Sequence, residues 1–291
     1  MLTVRAFAKV NLVLEVLGRR GDGYHEIASI MQTLSLSDVL TLKPASRIGL
    51  KFSLPGIPDD TNIVLKSAYR LAEVTGFVGG VVVGLEKHIP LGAGLGGGSS
   101  DAAAVLCGLN NLWQLGLTRE QLAGIGAGLG SDVPFFIYGG TCLVEGRGER
   151  VTPLADLEKM WFVLLRPDLP VQPGKTAALY QMVRTGHYTS GELSAGVREL
   201  FESGGERQAG PLYNVFEKVA SDAFPGLSKY MEQFLRAGAP EVHLAGSGPV
   251  LFTMLHNEKR ASEIHANLVA GGLESHLVTS VKREEIDCRG G

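Results

Sequence analysis

Between residues 87 and 104 the chain reads Lys87-His88-Ile89-Pro90-Leu91-Gly92-Ala93-Gly94-Leu95-Gly96-Gly97-Gly98-Ser99-Ser100-Asp101-Ala102-Ala103-Ala104. The β-branched run before it, GVVVGLE over 80–86, reads as a strand, and the alanines and leucines after it predict a helix from about Ser99 to Trp113. A strand-to-helix connection with five glycines lets backbone N–H groups converge on an anion without Cβ obstruction. The helix N-terminus behind it favours negative charge. Pro90, Gly92, Gly94, Gly96, Gly97, Gly98, Ser99 and Ser100 are therefore expected to cradle phosphate.

Other readings compete. Gly92, Gly94 and Gly97 satisfy G-x-G-x-x-G, but a dinucleotide fingerprint follows its strand directly. Here Lys87 to Pro90 intervene, and no acidic residue closes a second strand about 20 residues later. Gly174-Lys175-Thr176 has the end of a Walker A motif, but the place of its first glycine is taken by Leu169. Glycines that merely allow tight packing are the bland alternative, and so dense a cluster beside two serines argues against it. Two further segments keep two readings each. Gly126–Gly130 repeats Gly-Ala-Gly-Leu-Gly at a helix end, either as a C-cap and turn or as a phosphate contact. Ala245-Gly246-Ser247-Gly248-Pro249 joins two strands, either as a plain hairpin turn or as part of a site.

The 291 residues, 45% hydrophobic and 20% charged, allow a full core and two modest domains. A net charge of −3 without a dense Lys/Arg run excludes nucleic acid as a partner. Cys107, Cys142 and Cys288 are far apart, odd in number and without metal-ligand spacing, so neither a disulfide framework nor a zinc site is expected, and a reducing cytoplasm fits. The N-terminus lacks a signal-peptide pattern, and no apolar run reaches the roughly 18–20 residues that span a bilayer. No His spacing suggests metal ligation, and a monomer and a homodimer are both open.

Strands are expected over 2–17, 27–36, 38–43, 48–53, 80–86, 134–145 and 160–165, with a glycine turn over 18–24. A helix over 62–75 ends at Gly76, and Thr118 with Gln121 forms a capping box for another. Past Pro167 the periodicity gives helices over 174–185, 192–203, 212–221, 225–237 and 258–271, with strands over 241–244, 250–255 and 275–281. Helices over a short antiparallel sheet place the chain in the α+β class, with a boundary near residue 155.

Charges in apolar places mark candidate chemistry. Lys9 and Asn11 sit on one face of the first strand, and Asp132 lies between a helix and an apolar run. A Lys–carboxylate pair is either a structural ion pair or a phosphoryl-transfer pair. In the second reading Asp132 accepts the proton of an attacking hydroxyl, Lys9 orients it and offsets charge on the phosphoryl group, and Asn11 holds the hydroxyl. Tyr24 and His25 close the turn GRRGDGYH, either as plain surface or as a platform for a flat ring, and Tyr180 is either core or part of the same platform. Magnesium would arrive with ATP, held by phosphates and by Ser99 or Asp101.

Three segments, AKVNLVLEVLGRRGDGYHEI, PLGAGLGGGSSDAA and LAGSGPVLF, resemble the three motifs of the GHMP kinase superfamily. The resemblance covers most of the chain, is specific up to about residue 145, and is weak from 170 to 240. It implies a two-domain fold: an ATP-binding N-terminal domain with a βαβ unit over 1–155, and a ferredoxin-like C-terminal domain over 156–291. Within the family, GDGYHEI and GLGSDVPFF are similar to members acting on a cytidyl-methylerythritol in the non-mevalonate isoprenoid pathway. The implied reaction is ATP-dependent phosphorylation of the 2-hydroxyl of that substrate. The resemblance assigns catalysis to Lys9 and Asp132 and substrate binding to Asn11, Tyr24, His25 and Lys87. It adds Tyr180, counted from Thr176, as a second aromatic over the base, and places Asn62 near adenine. Homoserine and mevalonate, the substrates of other members, have no base to stack on GDGYH. A nucleotide-binding sensor without catalysis is the reading of another class, and Lys9 together with Asp132 argues against it.

Overall fold

A computed structural model describes residues 1–51, 62–203, 210–286 and 288; the part of the expected strand at 48–53 that falls on 52–53 lies outside them. Two long antiparallel strands, β1 (Leu2–Arg19) and β2 (His25–Ala45), form the spine of the molecule. The two strands expected over 27–43 are thus one continuous strand. After an alternating start, every residue of β1 from Ala8 to Val16 is buried, because both faces of the strand are covered. The β1–β2 register shifts between Phe7 and Ala8 and again between Asn11 and Val13. Such bulges re-aim side chains, and Lys9 and Asn11 stand on the regular stretch between them.

Strands β3 (Gly49–Leu50), β4 (Gly80–Glu86), β5 (Thr141–Gly146) and β6 (Arg150–Pro153) extend this sheet on the β2 side. Helices α1 (Ile63–Thr75) and α2 (Gly97–Leu112) cover it through Leu71, Ala102, Val105, Leu106 and Leu109. Asn62 caps α1 through its side-chain oxygen, and Gly76 ends it in the left-handed conformation. Helix α3 (Arg119–Ala127) opens with the expected Thr118–Gln121 capping box.

The apolar run after Asp132 is not a strand over 134–140. It forms the short helix α4 (Val133–Tyr138), with Pro134 in its first turn and Gly139 at its end, before β5 begins. A run of apolar residues buried all round carries no period that separates strand from helix, and the proline in the first turn tips the balance.

The second sheet has the order β11-β7-β10-β9, all antiparallel, from β7 (Trp161–Arg166), β9 (His243–Leu244), β10 (Leu251–Leu255) and β11 (Glu274–Thr279). Helices α8 (Leu227–Arg236) and α9 (Glu258–Ala270) pack on it through Phe234, Ile264 and Leu268, the ferredoxin-like arrangement. Helices α5 (Lys175–Met182) and α6 (Glu192–Glu202) contribute Leu179, and Val197 with Phe201, to cores that also hold residues of both sheets. The helix expected over 212–221 is broken. Residues Tyr213–Asn214 form β8, which pairs in parallel with β1, followed by a 3-10 turn over Val215–Lys218 and the short α7 (Ala220–Ala223). Chain from the second half therefore completes the sheet of the first. Among the described residues no helix is long and apolar enough to cross a membrane.

Cys107 on α2 and Cys288 near the chain end are joined in a disulfide, their Cα atoms 5.0 Å apart and 181 residues apart in sequence. This corrects the expectation of no disulfide, and with it the cysteine argument for a reducing compartment. Spacing along the chain carries no information about two residues brought together by the fold. The loop-entropy account gives about 5 kcal/mol for so long a loop, against the roughly 2–4 kcal/mol that disulfides typically contribute. A non-reducing digest should yield one peptide linking Cys107 to Cys288. Cys288→Ser should lower Tm by roughly 5–15 °C, and an unlinked digest would refute the pairing.

Candidate active site

The glycine loop lines a cavity of about 380 Å³ that also receives Lys9, Asn11, Asp132 and Lys175. Pro90, Gly92, Gly94, Gly96, Gly97, Gly98 and Ser99 all reach it. Gly94 and Gly96 have φ of 84° and 75°. A Cβ at Gly94 would stand 2.0 Å from the carbonyl oxygen of Ala245, and one at Gly96 would stand 2.5 Å from the Phe136 ring. Glycine is thus demanded twice over, by the left-handed backbone and by close approach. The Ala245–Pro249 segment is a hairpin turn, with Ala245 N–H donating to Val250 O at 2.8 Å, and it is also part of the site, since Gly246 and Ser247 line the cavity.

Lys9 is 5% exposed. Its backbone N–H donates to Leu95 O at 3.0 Å, which ties β1 to the loop. Its Nζ donates to Asn11 Oδ1 at 2.7 Å and stands 3.6 Å from Asp132 Oδ2. Asn11 in turn donates to Ser29 Oγ at 2.8 Å, and Ser29 donates to Val13 O at 2.6 Å. The relay fixes the Asn11 amide with its oxygen toward the lysine. The register shift between Asn11 and Val13 reverses the facing of β1, so Glu15 stands on the side away from Lys9 and Asn11, where it is fully buried and accepts from Ser194 N–H at 2.8 Å at the N-terminus of α6. The bulge takes it out of the Lys9–Asn11 alternation, so a period-2 reading had no signal for it.

A second cavity, of about 780 Å³, adjoins the first and is lined by Tyr24, His25, Tyr180 and Tyr188. His25 and Tyr180 stack with centroids 5.1 Å apart and planes at 15°, while Tyr188 meets His25 edge-on. Burial and the charge of Arg19 lower the pKa of His25, so its ring is neutral at neutral pH. The guanidinium of Arg147 lies 4.8 Å over the Tyr24 ring. Asp132, Arg147, Thr176 and Tyr180 line both cavities and form the seam between them. Sequence reasoning missed Tyr188 and Arg147, since an isolated Tyr or Arg in a loop has no periodicity to betray it.

It also passed over Lys175. Although Gly174-Lys175-Thr176 is no Walker A motif, Lys175 donates to the carbonyl and hydroxyl oxygens of Ser247, each at 2.9 Å, and to Gly248 O. Burial and the nearby charge of Lys9 lower its pKa to about 8. The dipeptide serves the fold as a cation clamped on the Ala245–Pro249 turn at the cavity wall.

Three expected residues are placed elsewhere. Ser100 is buried on the opposite side of α2 from Ser99, beside Cys107, and its N–H is already used by Gly96 O. A helix turns about 100° per residue, so adjacent serines cannot both face one cavity. Asn62 lies behind Ile63, which does reach the cavity, and its buried amide nitrogen has no acceptor among the described residues. Lys87 lies at the glycine loop rather than in the aromatic cavity, bonded to Asp101 Oδ2 at 2.7 Å and to Asp38. Gly126–Gly130 caps and leaves α3, turning the chain into Asp132.

Asp38 also accepts the N–H groups of His88 and Ile89, whereas Asp101 Oδ1 is buried without a hydrogen-bond donor among the described residues. Burial raises the pKa of Asp101 to about 7, with Asp38 adding to the effect and Lys87 opposing it. A carboxyl that keeps its proton longer in the folded chain makes folding less favourable as pH climbs from its ordinary 3.8 toward about 7. Asp101→Asn should therefore flatten the fall of Tm between about pH 4 and about pH 7, and an unchanged slope would show that Asp101 is not its source. Gly94→Ala should cost at least about 2 kcal/mol of stability and abolish nucleotide binding in an equilibrium titration.

Comparison with known proteins gives the family of the chain. Residues 62–140 match the GHMP kinases N terminal domain, and residues 192–272 match the GHMP kinases C terminal domain. The chain is 48% identical over 281 residues to 4-diphosphocytidyl-2-C-methyl-D-erythritol kinase of Dehalococcoides mccartyi, covering 97% of this chain and 99% of that one. The like-named protein of Geobacillus thermodenitrificans is 38% identical over 271 residues, covering 92% of each. A crystal structure of 4-(cytidine 5'-diphospho)-2C-methyl-D-erythritol kinase superposes with TM-score 0.79 at 35% identity, over 96% of this chain and 99% of that one. Homoserine kinase from Cytophaga hutchinsonii, at 20% identity, shares the fold with TM-score 0.68 over 96% of this chain and 95% of its own. Matched in both halves by the family's two domains and along nearly its whole length by these relatives, the chain belongs to the GHMP kinases.

Proposed function

We propose that Lys9 and Asp132 carry the transfer of the γ-phosphoryl group of ATP to the 2-hydroxyl of 4-(cytidine 5'-diphospho)-2-C-methyl-D-erythritol, a step toward isoprenoid precursors. The observation that carries this reading is the position of Asp132, paired with Lys9, at the seam between a glycine-loop cavity and an aromatic cavity. A molecule with a base at one end and a hydroxyl at the other fits the two cavities with its hydroxyl at Asp132. Neither homoserine nor mevalonate has a group that uses the His25–Tyr180 stack.

Asp132, more open than Lys9, accepts the hydroxyl proton as the oxygen attacks phosphorus. Lys9, held by Asn11, orients that carboxylate and offsets charge spreading over the phosphoryl oxygens. The glycine loop and the N-terminus of α2 hold the departing diphosphate. The aromatic cavity takes the cytosine, where the neutral imidazole of His25 offers one donor and one acceptor to its edge. Among the described residues no three His, Cys, Asp or Glu side chains gather into a metal cage. Ser99 is the side-chain oxygen of the glycine loop that faces the cavity, which fits a magnesium ion carried in by the phosphates and held mainly by them. That ion would offset charge on the β- and γ-phosphates.

Coupled ADP release measured separately with the cytidyl-methylerythritol substrate, homoserine and mevalonate tests the assignment. Turnover is expected with the first; faster turnover with either of the others would overturn it. Asp132→Asn should lower turnover at least about a hundredfold with ATP affinity nearly intact, and surviving turnover would make Asp132 structural.

A further inference from the structure

The seam between the two cavities lies between a base in the aromatic cavity and a phosphoryl group on the glycine loop, and the linker that joins the base to the hydroxyl at Asp132 is a diphosphate. Of the four seam residues, Asp132, Arg147, Thr176 and Tyr180, one is a cation. We propose that Arg147 grips the substrate diphosphate and thereby selects a cytidine diphosphate ester over a plain cytidine ligand. The proposal rests on the substrate reading above and deepens it.

Arg147 sits at the tip of the β5–β6 hairpin, between Gly146 and Gly148, whose φ values are 74° and 115°. Its backbone N–H donates to Glu149 Oε2 at 2.6 Å, and Gly148 N–H donates to Glu145 O at 3.1 Å, so the tip is fixed. The tip presses on the loop that carries the catalytic carboxylate. A Cβ at Gly148 would stand 3.2 Å from Ser131 Cβ and 3.8 Å from Asp132 Oδ1. The guanidinium is therefore delivered beside the reacting end of the site while its plane rests on Tyr24.

Its charge is uncommitted. Among the described residues no carboxylate forms an ion pair with Arg147, although the surface supplies several Arg–carboxylate pairs elsewhere. Asp22 feels its charge but is itself bonded to Arg20 and to the backbone N–H of Tyr24. The other lysines of the first cavity are engaged, Lys9 by Asn11, Lys87 by Asp38 and Asp101, and Lys175 by Ser247. A planar fork of donors without a carboxylate, at the crossing point of a diphosphate, matches that group bidentately. A role limited to covering the Tyr24 ring would be blind to phosphate.

Affinities of cytidine, CMP and CDP, measured by calorimetry with ADP saturating the glycine loop, separate the two roles. The wild-type chain should bind CDP more tightly than cytidine. Arg147→Met should weaken CDP about ten- to a hundredfold and cytidine less than about threefold, with Arg147→Lys in between. In steady state Arg147→Met should raise KM for the diphosphate substrate and leave KM for ATP unchanged. Equal loss for cytidine and CDP, or no loss for either, would overturn the proposal while leaving the substrate reading standing. A wild-type chain that binds neither ligand would bring down the substrate reading and this proposal with it.

Discussion

The backbone of the glycine loop lies against the backbone of the Ala245–Pro249 turn, and the rest of the site depends on that contact. At Gly94 there is no room for even a methyl group. Because the two segments touch without side chains between them, Lys9, reaching in from β1, meets the phosphate loop on one side and Gly246 on the other. Any residue larger than glycine would open the gap and let water in beside the lysine. Exclusion of water strengthens each electrostatic contact a phosphoryl group would make there.

Electrostatics follow from the same closeness. Lys9, Lys87, Arg147 and Lys175 face the first cavity, and Asp132 is the one carboxylate among its lining residues. The chain as a whole is acidic, with a net charge of −3, so this concentration of positive charge is local. Neutral acceptors hold two of the cations: Asn11 for Lys9, Ser247 and Gly248 for Lys175. They fix the direction of each side chain without cancelling its charge. A site of this kind is complete when a polyanion occupies it.

How much of this was legible in the sequence depended on whether a residue's role is local. The glycine loop, the Gly76 and Thr118 caps and the Lys9–Asn11 face are set by residues within a few positions of each other, and the structure has them as expected. The helix at Val133–Tyr138 was not legible, because a segment buried on every side loses the period that tells strand from helix. The Cys107–Cys288 link, the return of Tyr213–Asn214 to the first sheet and the clamp of Lys175 on Ser247 join residues far apart in sequence. For those, local pattern has nothing to offer. Ser100 and Lys87 fell between the cases: the motif was located correctly, but which way each side chain turns was decided by packing.

The parallel pairing of Tyr213–Asn214 with Val13–Leu14 also bears on how the two halves can move and evolve. A boundary near residue 155 suggests two beads on a string, each free to be cut out or exchanged. Instead β1 is bonded to β2 on one edge and to a strand of the later half on the other, and Leu34 bridges to Ser280. Severed at that boundary, the first piece would expose the inner edge of its own central strand, and the second would lose the partner of β8. The halves are better regarded as one interlocked body, in which substrate specificity changes by altering loops around a fixed frame rather than by exchanging one domain for another.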